Sequence, residues 1–468
     1  MWLVTCAIVG GLTLPLLIQD GMFMDALLYT SVANNLSTGY GTFWFPQFSL
    51  HNVSDFNAFH EQPPLGIFIQ SLFFRAFGHS MYVERFYTFL MLIITARLMV
   101  SLWKRVYLSE SILHQYSWLP VLLWMLSPIC FWSYSNNMLE NTMGVFTLSA
   151  VILLFDAMRS QKTSKFILGG LFIFLATMIK GVPGLFPLAT PCIIWIMERN
   201  SGFVKMIWQS FLSFITVALL YCCMLLIPDA RESYDVYFLQ RTLFRIDSLP
   251  TVNSRFYILG RLFLELLPQF ILLIIVLLIA RNKKRIPGAQ YFKQGLIFIL
   301  IGISASLPLM LTMVQKAFYF VPALPLFAIG LASMMAPVIA IENRKENLRP
   351  STLKVWRGVG VLLFIGMLGY TGAMFGHVKR DKDLIHDVRL IGDAIPNEHV
   401  IGTPNAMWNN WSMQTYMMRY NNMSMDEGYK QTYVVVDQKY QTQIPEFYTK
   451  IDIPTKRYHL FKRKESGI

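Results

Sequence analysis

Residues 270–280 read FILLIIVLLIA, and the longer run that contains them, 258–280, carries charge only at Arg261 and Glu265. Wound as an α-helix, such a run crosses the ~30 Å hydrocarbon core of a bilayer. No water inside hydrocarbon satisfies a backbone N–H or C=O, so a chain made of long runs like this folds as a bundle of helices. Comparable runs recur near 1–18, 83–103, 118–134, 142–158, 166–179, 184–197, 204–227, 291–313, 318–340 and 355–376, which predicts a polytopic α-helical membrane protein of about eleven spans. Composition agrees: 54% of residues are hydrophobic and 14% charged, against roughly 25% charge in soluble domains.

One further segment, PPLGIFIQSLFFRAFG at 63–78, is apolar but short and carries Arg75. If it lies at the interface rather than crossing, the loops holding Lys104 and Arg105, Arg159 to Lys165, Arg199 and Lys205, Arg281 to Lys293, and Arg344 to Arg357 all fall on one side. The opposite loops are poorer in Lys and Arg, so the positive-inside rule places Met1 in the cytoplasm. The formal net charge of +13 is then a property of cytoplasmic loops, and nucleic acid is not a partner. The first run begins at Met1 with no basic n-region and reads as a retained span. All five cysteines fall inside apolar runs, where they form no disulfide framework.

In this topology 20–82 is one long outer segment with interfacial helices, and loops of that length usually carry function. After 377 the apolar runs stop. Residues 378–468 read as a small outer α/β domain with helices at 383–395 and 409–420 and strands at 399–403, 432–437 and 457–463. The expected division is a membrane domain at 1–377 and this domain at 378–468, in a multi-pass protein of the inner (plasma) membrane.

Polar residues collect at the outer ends of the spans. Asp25 opens an amphipathic stretch, 24–36, with Asp20 five residues earlier; a carboxylate there is either a helix-terminus charge or a base. His60 and Glu61 precede Pro63-Pro64 and are either a solvated loop end or a substrate-handling pair. Glu140 stands at a mouth between two spans. Lys180 ends another, as a snorkelling anchor or as a site cation. Arg241 and Arg245 lie in the loop 228–257. No Zn ligand spacing, phosphate-binding Gly loop or nucleophile elbow is present, although acidic residues leave a divalent metal open. Acids and cations on one face suit a substrate that is part lipid, part phosphate and part sugar.

Taken in order, these residues resemble the GT-C membrane glycosyltransferases, in the branch that holds protein O-mannosyltransferases and the lipid A aminoarabinose transferase. Asp25, Tyr29, Ala33 and Gly39 match that branch's first outer loop; Glu61, Pro63, Pro64 and Leu65 match its Glu-Lys-Pro-Pro-Leu element, with Gln62 in place of lysine. Glu140 matches the acidic residue of its second outer loop, where Asp is commoner. Lys180, Gly181 and Leu185 match Lys-Gly-x-x-x-Leu, and Tyr319, Pro322 and Pro325 match a late Tyr-x-x-Pro-x-x-Pro. The resemblance runs over 1–340. It implies a GT-C fold and a hexosyl- or pentosyltransferase that needs no cofactor and moves a sugar from a polyprenyl-phosphate donor to a lipid, glycan or protein hydroxyl.

In that chemistry Asp25 is the base, with Asp20 its rival, and Glu140 and Glu61 orient substrate. Lys180, Arg245, Arg241, Glu61, His60 and Tyr319 bind the donor and its phosphate. One carboxylate suffices for inversion, because a phosphate leaves without needing a proton. The competing class, a transporter or flippase for an anionic lipid, predicts ionisable residues at mid-membrane, where only Arg97 and Arg261 are candidates. A scaffold presenting 378–468 would leave the outer constellation without a task.

Overall fold

The computed structural model describes residues 1–50, 58–199, 201–243, 250–284, 287–345, 350–440 and 443–464. Each of the eleven apolar runs forms helix. Eight helices among the described residues are long and apolar enough to cross a membrane: Met81–Val106, Leu139–Ser160, Thr163–Lys180, Phe203–Leu225, Tyr257–Asn282, Ala289–Leu311, Ala317–Asn343 and Lys354–Ala373. The remaining runs form the shorter helix Trp2–Leu17, the pair Trp118–Met125 and Pro128–Ser135, and Val182–Glu198, which begins as a 3₁₀ turn. The short apolar segment 63–78 forms the helix Leu65–Phe77, and the amphipathic stretch is the helix Met24–Ser37. The protein is a multi-pass membrane protein.

The chain forms two compact units: Met1–Ile18 with Glu61–Gly66 and Arg85–Phe375, and Gln19–His60 with Ile67–Glu84 and Gly376–Ile468. In the first, helices approach closely where side chains are absent. A Cβ at Gly295 would lie 2.6 Å from the Gly330 carbonyl oxygen, and one at Gly330 2.7 Å from that of Gly295, so only glycine allows this backbone contact.

The run 118–134 is broken because Pro128 disfavours the helical region for Ser127, which is extended at ψ 119°. A break in apolar surroundings exposes backbone groups that must be matched. The helix Tyr257–Asn282 matches them: Glu265 Oε2 accepts from the Ile129 N–H at 2.7 Å, and Gln269 Nε2 donates to the Leu123 carbonyl at 2.9 Å and the Ser127 hydroxyl at 2.7 Å. Arg261 pairs with Glu265 at 2.7 Å one turn earlier. The charges that interrupt the most apolar run of the chain thus mend a neighbouring helix.

In the second unit, five strands run in the order β2-β1-β3-β5-β4: β1 Val400–Thr403, β2 Ser424–Glu427, β3 Tyr433–Asp437, β4 Tyr448–Lys450 and β5 Tyr458–Arg463. β1 is parallel to β2 and β3, and β5 is antiparallel to β3 and β4. Helices Lys382–Ala394 and Trp411–Asn421 lay Ile385, Val388, Ile391, Met413 and Met417 against Ile401, Val434, Val435 and Leu460, all buried. Asp387 is fully buried, and its carboxylate accepts from three backbone N–H groups, those of Lys456, Arg457 and Tyr458, at 2.7–2.9 Å. Such matching is what a buried charge requires.

Segments from the first loop complete this unit. Asp20 forms a parallel bridge with Val378, and Met22 and Leu27 enter the same core. Glu84 and Arg419, both buried, pair at 2.8 Å, and Arg419 also donates to the His79 carbonyl at 3.0 Å. The Ser31 hydroxyl lies 3.3 Å from the Thr415 carbonyl.

Candidate active site

Glu140 lies in the first turn of the helix Leu139–Ser160, where the N-terminal dipole favours a negative charge. Its neighbours fasten that turn: Asn141 Nδ2 donates to the Ser133 carbonyl at 3.0 Å and Thr88 Oγ1 at 3.3 Å, and Asn141 Oδ1 accepts from the Ser133 hydroxyl at 2.7 Å. Tyr87 and Thr142 share a hydrogen bond of 2.7 Å. Lys180 is the last residue of the helix Thr163–Lys180. Its ammonium reaches Glu140 Oε1 at 2.5 Å, with Glu140 fully buried and Lys180 8% exposed. A lysine so enclosed is not the solvated end of a snorkelling side chain.

Aromatic rings wall this pair. The ammonium stands 5.4 Å from the Phe318 ring centroid and 5.6 Å from that of Tyr319, within cation–π range. Phe318 stacks on Trp132 at 5.9 Å, and Tyr319 meets Phe318 edge to face. Trp132 and Phe318 carried no signal in the sequence reading, although Phe318 adjoins the Tyr319 element and marks the place to look.

A second ion pair belongs to the same unit. Arg241, on the π-helical segment Val236–Leu243, meets Glu61 at 2.9 Å, each side chain 24% exposed. Glu140, Lys180 and Tyr319 are therefore brought together, as are Glu61 and Arg241. Arg245 lies outside the described residues.

The other candidates belong to the second unit. Asp25 is half-buried in the first turn of the helix Met24–Ser37, whose preceding residue Phe23 is extended. Tyr29, on the same helix, packs edge-on against Phe59 at 6.2 Å, and His60 is buried with its ring 5.8 Å from that of Phe45. Asp20 is buried and heavily engaged: it accepts from the Gly21 N–H at 2.6 Å, from Arg389 at 2.5 Å and from the Tyr420 hydroxyl. Its backbone N–H donates to the His377 carbonyl at 2.9 Å, and its carbonyl accepts from Lys379. Among the described residues, no three His, Cys, Asp or Glu side chains gather into a group able to hold a metal ion.

A mostly helical membrane unit and a unit that joins the first loop to a small C-terminal sheet domain make up this chain, which has the fold of the GT-C membrane glycosyltransferases. No protein-family model and no curated protein matches its sequence. Among solved structures it is similar to the lipid A aminoarabinose transferase ArnT from Cupriavidus metallidurans bound to undecaprenyl phosphate, with a TM-score of 0.66 at 14% identity over 99% of this chain and 98% of that one. The apo state of the same protein gives 0.65 at 13% identity, covering 97% and 95%. The archaeal oligosaccharyltransferase AglB from Archaeoglobus fulgidus, in complex with an inhibitory peptide and a dolichol-phosphate, gives 0.54 at 11% identity, covering 93% of this chain and 69% of that one.

Proposed function

We propose that this protein is a membrane glycosyltransferase that moves a hexosyl or pentosyl group from a polyprenyl-phosphate donor to an acceptor hydroxyl, with inversion, on the extracytoplasmic face of the inner (plasma) membrane. The observation that carries the reading is the meeting of Glu140, Lys180 and Tyr319 in a chain with the GT-C fold, from three motif elements far apart in sequence. Further support comes from the solved structures: ArnT holds undecaprenyl phosphate and AglB a dolichol-phosphate, both lipid phosphates.

In this reaction the acceptor oxygen forms a bond to the anomeric carbon as that carbon's bond to the phosphate oxygen breaks. The hydroxyl proton passes to Asp25, and the polyprenyl phosphate leaves with the electron pair and one added negative charge. Lys180 and Arg241 answer that charge, because preorganised cations stabilise charge that grows in the transition state. Arg245 is assigned the same role by its place in the loop. Glu140 holds the Lys180 ammonium in place, and Glu61 does the same for Arg241. The acceptor is a lipid, glycan or protein hydroxyl. With the C-terminal unit outside, Met1 is cytoplasmic.

The test is transfer in proteoliposomes from undecaprenyl-phosphate-linked sugars made with a panel of labelled hexoses and pentoses, read as labelled product in envelope extract. Labelled product that depends on Asp25 supports the reading. Movement of labelled donor across the bilayer with no product would instead identify a flippase. Arg261, a charge on which that alternative depended, is engaged in mending a helix break through Glu265.

A further inference from the structure

The turn that ends in Lys180 is gripped by tyrosines from the elements that follow it. Thr177 Oγ1, one turn before Lys180, accepts from the Tyr221 hydroxyl at 2.7 Å, and that hydroxyl accepts from Tyr234 at 2.9 Å. The Tyr221 and Tyr234 rings lie 5.3 Å apart, and Tyr237 meets Tyr234 edge to face at 5.6 Å. Tyr237 is buried, and its hydroxyl occupies the place where Gly181, at φ +71°, would carry a Cβ. Only glycine accepts both that conformation and that neighbour.

From Tyr237 the chain continues through the π-helical segment Val236–Leu243, in which the Thr242 hydroxyl donates to the Tyr237 carbonyl at 3.0 Å. About one turn on, the segment presents Arg241 to Glu61. π-helical turns are rare and concentrate at functional sites. Their wide turn persists only where surrounding contacts hold it, and Tyr237 is one of those contacts here, with the Arg241–Glu61 pair another.

We infer that Tyr237 is a positioning residue: with its hydroxyl seated against Gly181, it fixes the π-helical segment on the Lys180 turn and so sets the separation of the Lys180 and Arg241 cations. The inference rests on the donor reading above, in which both cations meet the phosphate. The guanidinium recognises phosphate through two directed bonds, so its contribution depends on where the backbone places it, more than that of the compact lysine ammonium. The sequence motifs contain Lys180 and Gly181 but not Tyr237. Its role is visible only because a hydroxyl fills the space that glycine leaves.

Tyr237→Ala, Tyr237→Phe, Arg241→Gln and the double variant Tyr237→Ala/Arg241→Gln are compared in nanodiscs for affinity toward undecaprenyl phosphate. Tyr237→Ala is expected to bind at least about fivefold more weakly, with the double variant no weaker than Arg241→Gln, because residues that act through one another do not add. Tyr237→Phe keeps the ring against Tyr234 and gives up only the hydroxyl that fills the space beside Gly181, so it is expected to lose only about twofold. Independently of binding, trypsin should cut after Arg241 faster in Tyr237→Ala than in wild type, by mass spectrometry. Additive losses in the double variant, which a merely structural tyrosine would give, overturn the inference, as does wild-type affinity with wild-type cleavage. Should wild type itself not bind undecaprenyl phosphate, the donor reading falls, and cleavage alone then decides whether Tyr237 seats the segment. If Tyr237→Ala does not fold, Tyr237→Leu, which keeps apolar volume but removes the ring and the hydroxyl, replaces it in every comparison.

Discussion

Replacing Lys180 with methionine removes its charge at similar length and leaves a fully buried Glu140 without the cation that stands 2.5 Å away. Two charges in so dry a place have each lost their hydration, and their mutual attraction offsets that loss only while both are present. Breaking such a pair costs about 3–5 kcal/mol, whereas replacing both members with uncharged groups of like volume is near neutral or stabilising. Lys180→Met and Glu140→Leu alone should therefore each lose several kcal/mol in SDS-titration unfolding, while Glu140→Leu/Lys180→Met returns to within about 1 kcal/mol of wild type. Catalysis should not follow stability. Every variant without Lys180, the stable double one included, should lose more than tenfold in kcat/KM, a transition-state cost above ~1.4 kcal/mol. Lys316, exposed and only three residues before Tyr319, provides the control: Lys316→Ala should stay within about threefold of wild type, as an exposed charge contributes little. A Lys180→Met protein as stable as wild type and at least a third as active would show that the pair is neither dry nor part of the reaction, and the reasoning would fail.

Three further outcomes are expected. Asp25→Asn keeps the side-chain shape and should abolish labelled transfer without moving the melting temperature, since the residue is half-buried at a helix start rather than in a core. Asp20→Asn should do the reverse, destabilising by about 1.5–3 kcal/mol through its weakened bonds to Arg389 and Tyr420 while transfer persists at low temperature; loss of transfer with unchanged melting would move the base to Asp20. Cysteines at Ser80 and Asn422 should label with impermeant maleimide from outside the cell and one at Ser164 only after permeabilisation; labelling of all three from one side would break the proposed orientation.

Much of the fold was legible because hydrophobic period and length are local properties. The stretch 24–36 became the helix Met24–Ser37, and the predicted strand 432–437 became β3 with its start moved by one residue. Two strands went unread for equally local reasons. β2, Ser-Met-Asp-Glu, has no apolar alternation and is a strand only because it pairs in parallel with β1, while β4 is three residues long at a sheet edge. The run 118–134 was read as one span without its break at Ser127-Pro128, and nothing in the sequence says that Glu265 and Gln269, more than a hundred residues later, would mend it. Those two looked like defects in an otherwise uniform span.

The candidate site divides along the same line. Types and motif order marked Glu140, Lys180 and Tyr319, Lys180 as a cation for the donor phosphate and Glu140 as an acid that orients substrate. Pairing was not legible, and pairing changes what each residue means. Lys180 read alone is an anchor at the membrane surface; enclosed with Glu140, it is a charge maintained in a low-dielectric place at a cost in hydration that packing alone does not explain. Asp20 moves the opposite way. Read beside Asp25 it is a rival base, yet its carboxylate already accepts from Gly21, Arg389 and Tyr420, bonds that tie the first loop to the C-terminal domain within one unit. Asp25 stands half-buried in the first turn of the helix Met24–Ser37. The bonds that mark Asp20 as part of its unit's structure run to residues more than 360 positions away, and no spacing of letters contains them.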